Sequence, residues 1–479
     1  MKRLEGPDAR IRYRTRRVPD MPPNHAMHNP EPMTASNRRS PLAEDVQLRE
    51  VWAWSMYDFA NSGYTTVVIT AVFSAYFVGG VAGGAPWATF AWTAALSLSY
   101  LAVVLTAPLI GAWADAYAAK KRLLLIATAG CVMFTALLWF AAPGSVLTAL
   151  VLVALSNYFF GVGENLIAAF LPELADSGAM GRVSGWGWSF GYVGGLASLG
   201  ICLAYINAMQ HAGVGAGQFV PVTMLITAGL YALAATPTFV FLRERAQPQA
   251  GSARLSDAWS RVLVTLRQSG HFSDLRNFLL CTVFYQAGIA AVIALAAIYA
   301  QEAMRFTTQQ TIMLILVVNL TAAAGAFSFG YVQDRIGHLR AVALTLVGWI
   351  AMVLIAGTAG SSGAFWVAAN LAGLCMGSSQ AAGRAIVGYL APRDRLAEFF
   401  GLWGLAVKTA FLLGPLTYGT VTLVFEGNHR LAIFAVGSYF LVGLALLARV
   451  DMARGRRAAL TSGAPESGAG TGNLEPKLL

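Results

Sequence analysis

Charge is scarce in this sequence. Asp, Glu, Lys and Arg make up 12% of the 479 residues against 57% hydrophobic types, and the mean hydropathy is +0.58. A water-soluble chain of this length would lack the polar surface to cover itself, so the composition places the chain in lipid. Cysteine is nearly as rare. Cys131, Cys202, Cys281 and Cys375 stand far apart, each inside an apolar run, which argues against a disulfide frame or metal cluster and leaves them as small packing residues. None of the six histidines, His25, His28, His211, His271, His338 and His429, lies in the interior of an apolar run. A proton crossing the apolar region would therefore need a carboxylate. No zinc-ligand spacing, Gly-x-Ser-x-Gly elbow or Walker loop occurs, so the chain reads as no enzyme, with no metal and no cofactor, and ATP-driven work would require a separate subunit. The pair Arg16-Arg17 is followed by Val-Pro-Asp-Met-Pro-Pro instead of a hydrophobic stretch, so the Arg-rich start reads as a disordered tail and not as a targeting signal.

Long hydrophobic runs are what the sequence does have. About 20 apolar residues cross a bilayer, and twelve runs qualify: 52–79, 87–113, 122–141, 146–170, 186–209, 219–242, 277–301, 311–333, 340–358, 362–390, 398–425 and 429–449. The expected fold is all-α and membrane-integral, with twelve transmembrane helices in two pseudo-symmetric six-helix bundles, 52–242 and 277–449. Residues 1–51 and 450–479 read as disordered tails. Between the bundles, residues 243–276 are polar, but Trp259, Leu263 and Leu266 recur at helical spacing within Ser256–Arg267, which predicts an amphipathic helix on the membrane surface.

Of the 33 Lys and Arg residues, all but Arg305, Arg430, Arg384 and Lys408 fall on one side of this topology. Basic residues in short loops mark the cytoplasmic side. Both termini are thus expected in the cytoplasm, with the chain a multi-pass protein of the cytoplasmic (inner) membrane. The net charge of +10 then serves orientation and contact with membrane lipid, and no nucleic-acid partner is implied.

The two halves echo one another. Gly111-Ala-Trp-Ala-Asp115 leads to Lys120-Lys121-Arg122, and Gly330-Tyr-Val-Gln-Asp334-Arg335-Ile-Gly337 leads to Arg340, each a charged turn between the second and third spans of its half. Glu164 stands eight residues before Pro172 and Arg384 eight before Pro392, while Tyr57-Asp58 corresponds to Tyr285-Gln286. Internal repeats joined by a linker are how secondary transporters build a cavity between two rocking bundles.

These loops resemble the signature loop of the major facilitator superfamily, Gly-x-x-x-Asp-Arg-x-Gly-Arg. The second copy keeps Gly330, Asp334, Arg335 and Gly337; the first keeps Gly111, Asp115 and its basic run but has Ala116, Ala118 and Ala119 where Arg, Gly and Arg are usual. Within the superfamily, Trp54-Ser-Met-Tyr57-Asp58-Phe-Ala-Asn61-Ser62, Leu171-Pro172-Glu173 with Gly181-Arg182-Val-Ser-Gly185-Trp-Gly187-Trp, and Ala397-Glu398-Phe-Phe-Gly401-Leu resemble the UMF1 family, which includes the autophagy-related vacuolar effluxers. The resemblance covers about residues 50 to 450. It implies a transporter of small molecules and, from the fungal relatives, amino-acid export.

Independently of that resemblance, four charges stand where lipid should forbid them: Asp58, Glu164, Arg384 and Lys408. A lone charge at the bilayer centre costs roughly 2.5 to 3.5 kcal/mol on insertion scales, so such residues face a cavity or a partner. At about 1.5 Å per residue, the first three lie roughly 9 Å inside the cytoplasmic mouth and Lys408 about 15 Å inside. Two readings compete. Either the four form ion pairs that shut one side in one conformer, or some contact cargo while Asp58 or Glu164 exchanges a proton. Two acids with two bases suit a zwitterion such as an amino acid. Tyr57, Asn61, Asn157, Asn165 and Gln286 could add uncharged hydrogen bonds, or could tie helix to helix; Trp54, Tyr64, Trp186 and Trp188 could line a cavity or anchor at the interface.

Gly187, Gly191 and Gly195, four apart, give the fifth span a smooth face for close packing, and Gly414-Pro415 punctuate its counterpart, span eleven. The fifth span also resembles the signature of drug and metabolite antiporters, with Tyr192 where those have Pro. The expected function is secondary active transport of a small polar metabolite, an amino acid or related solute, by a monomer, coupled to a proton or other ion and directed outward. The alternatives are proton-coupled import of a small organic anion and, in another class, a non-transporting receptor or assembly scaffold.

Overall fold

The computed structural model describes residues 41–248, 272–426 and 428–461. The long helices among them are α1 (Leu48–Val81), π-helical over Thr65–Ala71 and Phe77–Val81, α2 (Ala88–Ala116), α3 (Lys120–Leu137), α4 (Val146–Ala168), α5 (Met180–His211) and α6 (Ala216–Phe241). The second set is α7 (Ser273–Glu302), α8 (Thr308–Ile336), α9 (His338–Thr358), α10 (Ser362–Leu390), α11 (Leu396–Val424) and α12 (His429–Leu447), with a short α13 (Met452–Thr461) after it.

Eleven of these helices are long and apolar enough to cross a membrane. The exception, α10, has the length, 29 residues, but its second half carries Ser378, Ser379, Gln380 and Arg384. Every residue from Cys375 to Gly388 is buried. A helix walled by protein can be polar because its neighbours, and not lipid, satisfy it. Large side chains such as Phe90, Leu147 and Leu423 cover the outside instead, where lipid tails are the matching solvent. All four cysteines are free and buried.

The two halves use the same packing list. In the first, α1 packs on α5 and α6, α2 on α4, and α3 on α4 and α6; in the second, α7 packs on α11 and α12, α8 on α10, and α9 on α10 and α12. Between halves, α2 packs on α11 and α5 on α8. Each half is also stapled from its first helix to the segment after its last. Arg245 donates to both oxygens of Glu50 at 3.0 Å, and Arg454 to both oxygens of Asp274 at 2.7 Å. Such forked guanidinium pairs fix geometry as well as charge.

The described chain extends past two expected boundaries. Residues before 51 were expected to be a disordered tail, but Ala43 N donates to Leu174 O, Asp176 N donates to Pro41 O, and α1 already begins at Leu48. Past 450, α13 docks through Arg454 and through Arg456, which donates to Tyr389 O at 2.8 Å. In both places charged side chains find partners on the bundle. Residues 1–40, the amphipathic segment Ser256–Arg267 and the tail beyond 461 lie outside the described residues.

Some helices cap themselves. Thr307 Oγ1 accepts from Gln310 N and Gln310 Oε1 from Thr307 N, and Asn428 accepts from Leu431 N. Three others take their cap from elsewhere in the chain: α3 from Glu244, α5 from Asp334 and α11 from Asp115. The last two bring the repeated loops into the site.

Candidate functional site

The first amides of a helix have no partner of their own and carry the positive end of its dipole. At the start of α5, Asp334 Oδ1 accepts from Gly181 N at 2.9 Å and Oδ2 from Arg182 N at 3.2 Å. At the start of α11, Asp115 Oδ1 accepts from Ala397 N at 3.1 Å and Oδ2 from Glu398 N at 2.9 Å. Each loop aspartate thus caps a helix of the opposite half, at equivalent positions. Small residues allow the approach: a β-carbon on Gly111 would strike the Ala397 carbonyl, and one on Gly330 the Gly181 carbonyl.

The two caps differ in what lies beside them. Asp334 also accepts from Arg182 Nε at 2.8 Å. Among the described residues Asp115 pairs with no cation, and the residue equivalent to Arg182 is Glu398, whose carboxylate pairs with Arg395 in the turn just before its helix. Further along the loops, Gly337 takes φ 90° and its counterpart Ala118 takes φ 48°, a left-handed conformation that alanine disfavours. Lys120 is buried, paired with Glu173, and Lys121 Nζ donates to Leu242 O at 2.6 Å. Arg122, Arg335 and Arg340 are exposed.

Above these latches lies a cavity of about 400 Å³ between the halves. It runs from the four membrane charges to the end opposite the loops, where Thr70, Tyr299, Leu314 and Ile433 line it. Asn61, Ser62, Thr65, Thr66 and Asn157 make its first-half wall polar; Val292, Met352, Phe365, Met376 and Val436 make its second-half wall apolar. The π-helical turns of α1 place Thr65, Thr66, Ile69 and Thr70 on that wall, and such turns recur at functional sites.

All four charges line the cavity and pair across the halves. Arg384 Nη1 donates to Asp58 Oδ2 at 2.7 Å, its Nε to Ser184 Oγ at 3.1 Å and its Nη2 to Ser184 O at 2.8 Å. The same guanidinium lies over the Trp54 ring at 4.5 Å and the Trp188 ring at 5.5 Å. Lys408 Nζ donates to Glu164 Oε2 at 2.9 Å and is otherwise surrounded by the rings of Tyr100, Phe160 and Phe411. Glu164 is the more exposed acid, at 26% against 12% for Asp58. Gly187 makes room for the first pair, since a β-carbon there would meet Asp58, Arg384 and Trp54. Gly191 and Gly195 continue the contact against Ser62 and Thr66 of α1, and Gly414, beside Pro415, packs on the Ala287 carbonyl of α7.

Other sequence candidates divide. Asn61 and Gln286 line the cavity, Asn61 Oδ1 accepting from Tyr231 OH at 2.7 Å. Tyr57 does not; it is buried inside the first half, bonded to Thr128 at 2.8 Å. Asn165 is buried against Gly404 and also lies off the cavity wall. Each adjoins a cavity residue in sequence, Tyr57 standing before Asp58 and Asn165 after Glu164, and one step turns a helix by about 100°, away from the cavity. Trp54 is fully buried and donates to Ile167 O, so it is no interface anchor. Sequence reasoning missed Ser184, Tyr100 and Trp403. Among the described residues, the indole N–H groups of Trp188 and Trp403 and the Gln286 carbonyl oxygen, all of wall residues, have no hydrogen-bond partner.

Comparison with known proteins adds to this geometry. The family described as "Vacuole effluxer Atg22 like" matches residues 88–460. The MFS-type transporter YxiO of Bacillus subtilis is 26% identical over 405 residues, which is 83% of this chain and 94% of that protein. Autophagy-related protein 22 of Cryptococcus neoformans is 26% identical over 305 residues, 58% of this chain and 54% of its own length; the match thus spans about half of that relative. Among solved structures, the human organic anion transporter MFSD10 superposes with a TM-score of 0.65 at 16% identity, covering 83% of this chain and 99% of that one. The Escherichia coli fucose:proton symporter FucP gives 0.64 at 15%, covering 84% and 97%.

Proposed function

The chain belongs to the Atg22-like vacuole effluxer family of major facilitator transporters, and from that premise we propose that it moves a small polar metabolite, an amino acid or related solute, across the cytoplasmic membrane by proton-coupled alternating access. The observation that carries this reading is that all four membrane charges line one cavity between the halves, in two pairs that each join one half to the other. Charges buried only to brace a fold would pair equally well within a half.

With both termini cytoplasmic, as the Lys and Arg distribution favours, the latched end is cytoplasmic and this conformer faces outward. Transport then requires the Asp115 and Asp334 caps to part while the outer ends of the halves close. Breaking two buried ion pairs is costly unless a new partner replaces the lost one. Cargo and protons are those partners. Each carboxylate can be neutralised by a proton and each cation can be taken by cargo, so that the halves separate without leaving a bare charge. The protein works as a monomer in lipid, with no nucleic-acid partner.

For direction, the first reading is export. A specific observation favours a second, proton-coupled uptake of a small organic anion: among the described residues Lys408 has a single polar partner and can exchange it. The two readings are closer than their names suggest, because efflux from a vacuole delivers solute to the cytoplasm, the same sense as uptake across a cell membrane.

The test is flux. Purified protein in liposomes, screened with amino acids and organic anions under an imposed pH gradient, should show saturable transport and counterflow of at least one solute. Flux that never saturates would indicate a channel, and no flux of any solute would leave the receptor or scaffold reading. Asp58→Asn should abolish proton coupling if Asp58 carries the proton; unchanged coupling would remove it from that role.

A further inference from the structure

The two cross-half ion pairs are built differently. Arg384 spends its guanidinium on three bonds, to Asp58 and twice to Ser184, and it also lies over two indole rings. It has little left to offer a ligand. Lys408 has three N–H donors, and one of them goes to Glu164. Its other neighbours are the rings of Tyr100, Phe160 and Phe411 at 5.3 to 5.9 Å, which hold an ammonium by their faces without consuming its hydrogen bonds. Glu164 on the other side is a quarter exposed to the cavity. The indole N–H of Trp403, on the same helix as Lys408, is buried without an acceptor among the described residues. Donors in want of an acceptor, beside an acid that can be displaced, make a site for an anion.

We propose that the aromatic-walled ammonium of Lys408 is the subsite for a carboxylate on the transported solute, that this carboxylate displaces Glu164, and that Glu164 takes up a proton from the cavity as it is released. The inference rests on the transporter reading above. Lys408 passes a hydrogen bond from one carboxylate to another, so the only covalent change is the O–H bond that Glu164 gains, and the charge of the site is restored by that one proton. A freed carboxylate in this setting is costly unless neutralised. The ionisable groups around Glu164 are Lys408 on α11, Tyr100 on α2 and the Asp58–Arg384 pair from α1 and α10; α3, packed on α4, adds charge only at its Lys120–Arg122 end and a thiol at Cys131. By reciprocity of linked binding, a proton on Glu164 tightens the carboxylate as much as the carboxylate tightens the proton. Solute and proton therefore travel together, in the same direction. The Asp58–Arg384 pair is left to hold the halves together.

The test uses full-length protein and three probes: phenylalanine, phenylpropanoate, which lacks the ammonium, and phenylalaninamide, which lacks the carboxylate. The apolar second-half wall suits their rings. Binding is read by thermal shift. Both acids should bind and the amide should not, with affinity rising about ten-fold per pH unit as the pH is lowered, the signature of one linked proton. Glu164→Gln should bind the acids independently of pH. Lys408→Met should weaken them by about ten- to a hundred-fold, the worth of a charged hydrogen bond. Because removing one member of a buried pair can prevent folding, the double variant K408M/E164Q, which leaves no bare charge, should show the same loss. Equal binding of acid and amide, pH-independent binding in the wild type, acid preference surviving in the double variant, or no acid bound at low pH would each overturn the assignment. If the liposomes carry some solute whose transport survives K408M/E164Q, the transporter reading stands and this one falls; if no solute moves at all, the transporter reading itself falls.

Discussion

Two aspartates in equivalent loops cap two equivalent helices across one end of the bundle, and the neighbours of each decide how firmly it holds. Asp334 combines two helix amides with Arg182, whereas Asp115 has two helix amides and a glutamate beside it. One level deeper the same inequality returns. Arg384 is tied by three bonds and two ring faces, Lys408 by one bond and a ring of aromatics. A repeated framework therefore supplies matched positions, and the local supply of partners makes one member of each set firm and the other exchangeable. A transporter needs both kinds. The firm contacts define the closed conformer, and in the proposed cycle the exchangeable ones let cargo and protons open it.

The largest effect should come from breaking the firm pair. Arg384→Met strands Asp58 with its environment built for a cation, and about 3 to 5 kcal/mol of stability should be lost, seen as a large fall in Tm; a fall no greater than that of Lys408→Met would erase the contrast between the pairs. Next comes Asp334→Asn. Asparagine still caps amides but gives up the bond to Arg182, so about 1.5 to 3 kcal/mol of bias toward the latched conformer should go, measurable as faster thiol labelling at the latched end. Asp115→Asn should matter far less because asparagine caps almost as well as aspartate, while Asp115→Ala should cost about 1 kcal/mol of the same bias. If the two Asn variants behave alike, Arg182 is not what separates the latches. The smallest effect has the opposite sign. Ala118→Gly relieves a left-handed alanine, worth about 1 to 2 kcal/mol, against about 0.4 to 1 kcal/mol of added freedom in the unfolded chain, so a slight rise in Tm is expected, whereas Gly337→Ala should lower it.

Much of this was legible in the sequence because lipid is an unforgiving solvent. Twelve helices announced themselves as apolar runs, and Asp58, Glu164, Arg384 and Lys408 stood out because no other charge lies in the interior of those runs. Their common depth followed from counting residues. Which acid meets which base did not, because pairing depends on which helices are neighbours, and Asp58 and Arg384 are 326 residues apart. The helix phase was similarly hidden. Tyr57 and Asn165 looked equivalent to Asp58 and Glu164 beside them until the structure turned Tyr57 into its own half and Asn165 against Gly404 of the other. Trp188 was legible only as an aromatic that could line a cavity or anchor at the interface, and Trp403 gave no signal, since tryptophan in a membrane span reads equally as an anchor, a packing residue or a donor. The crossing of loop aspartates to the opposite half was invisible for the same reason: a cap in trans leaves no local pattern at the helix it serves.

Alternating access is most directly tested by which end of the interface water can reach. Cysteines placed one at a time at Thr70, on the outer cavity wall, and at Ala397, buried where α11 meets Gly111, report on the two ends, and the four native cysteines are buried. In the otherwise unchanged chain, T70C should react with a membrane-impermeant thiol reagent and A397C should resist it; with Asp115→Ala and Asp334→Ala added together, A397C should become reactive as T70C becomes protected. Both positions gaining or both losing reactivity together would contradict the account, because one set of latches would then not be exchanging one opening for the other.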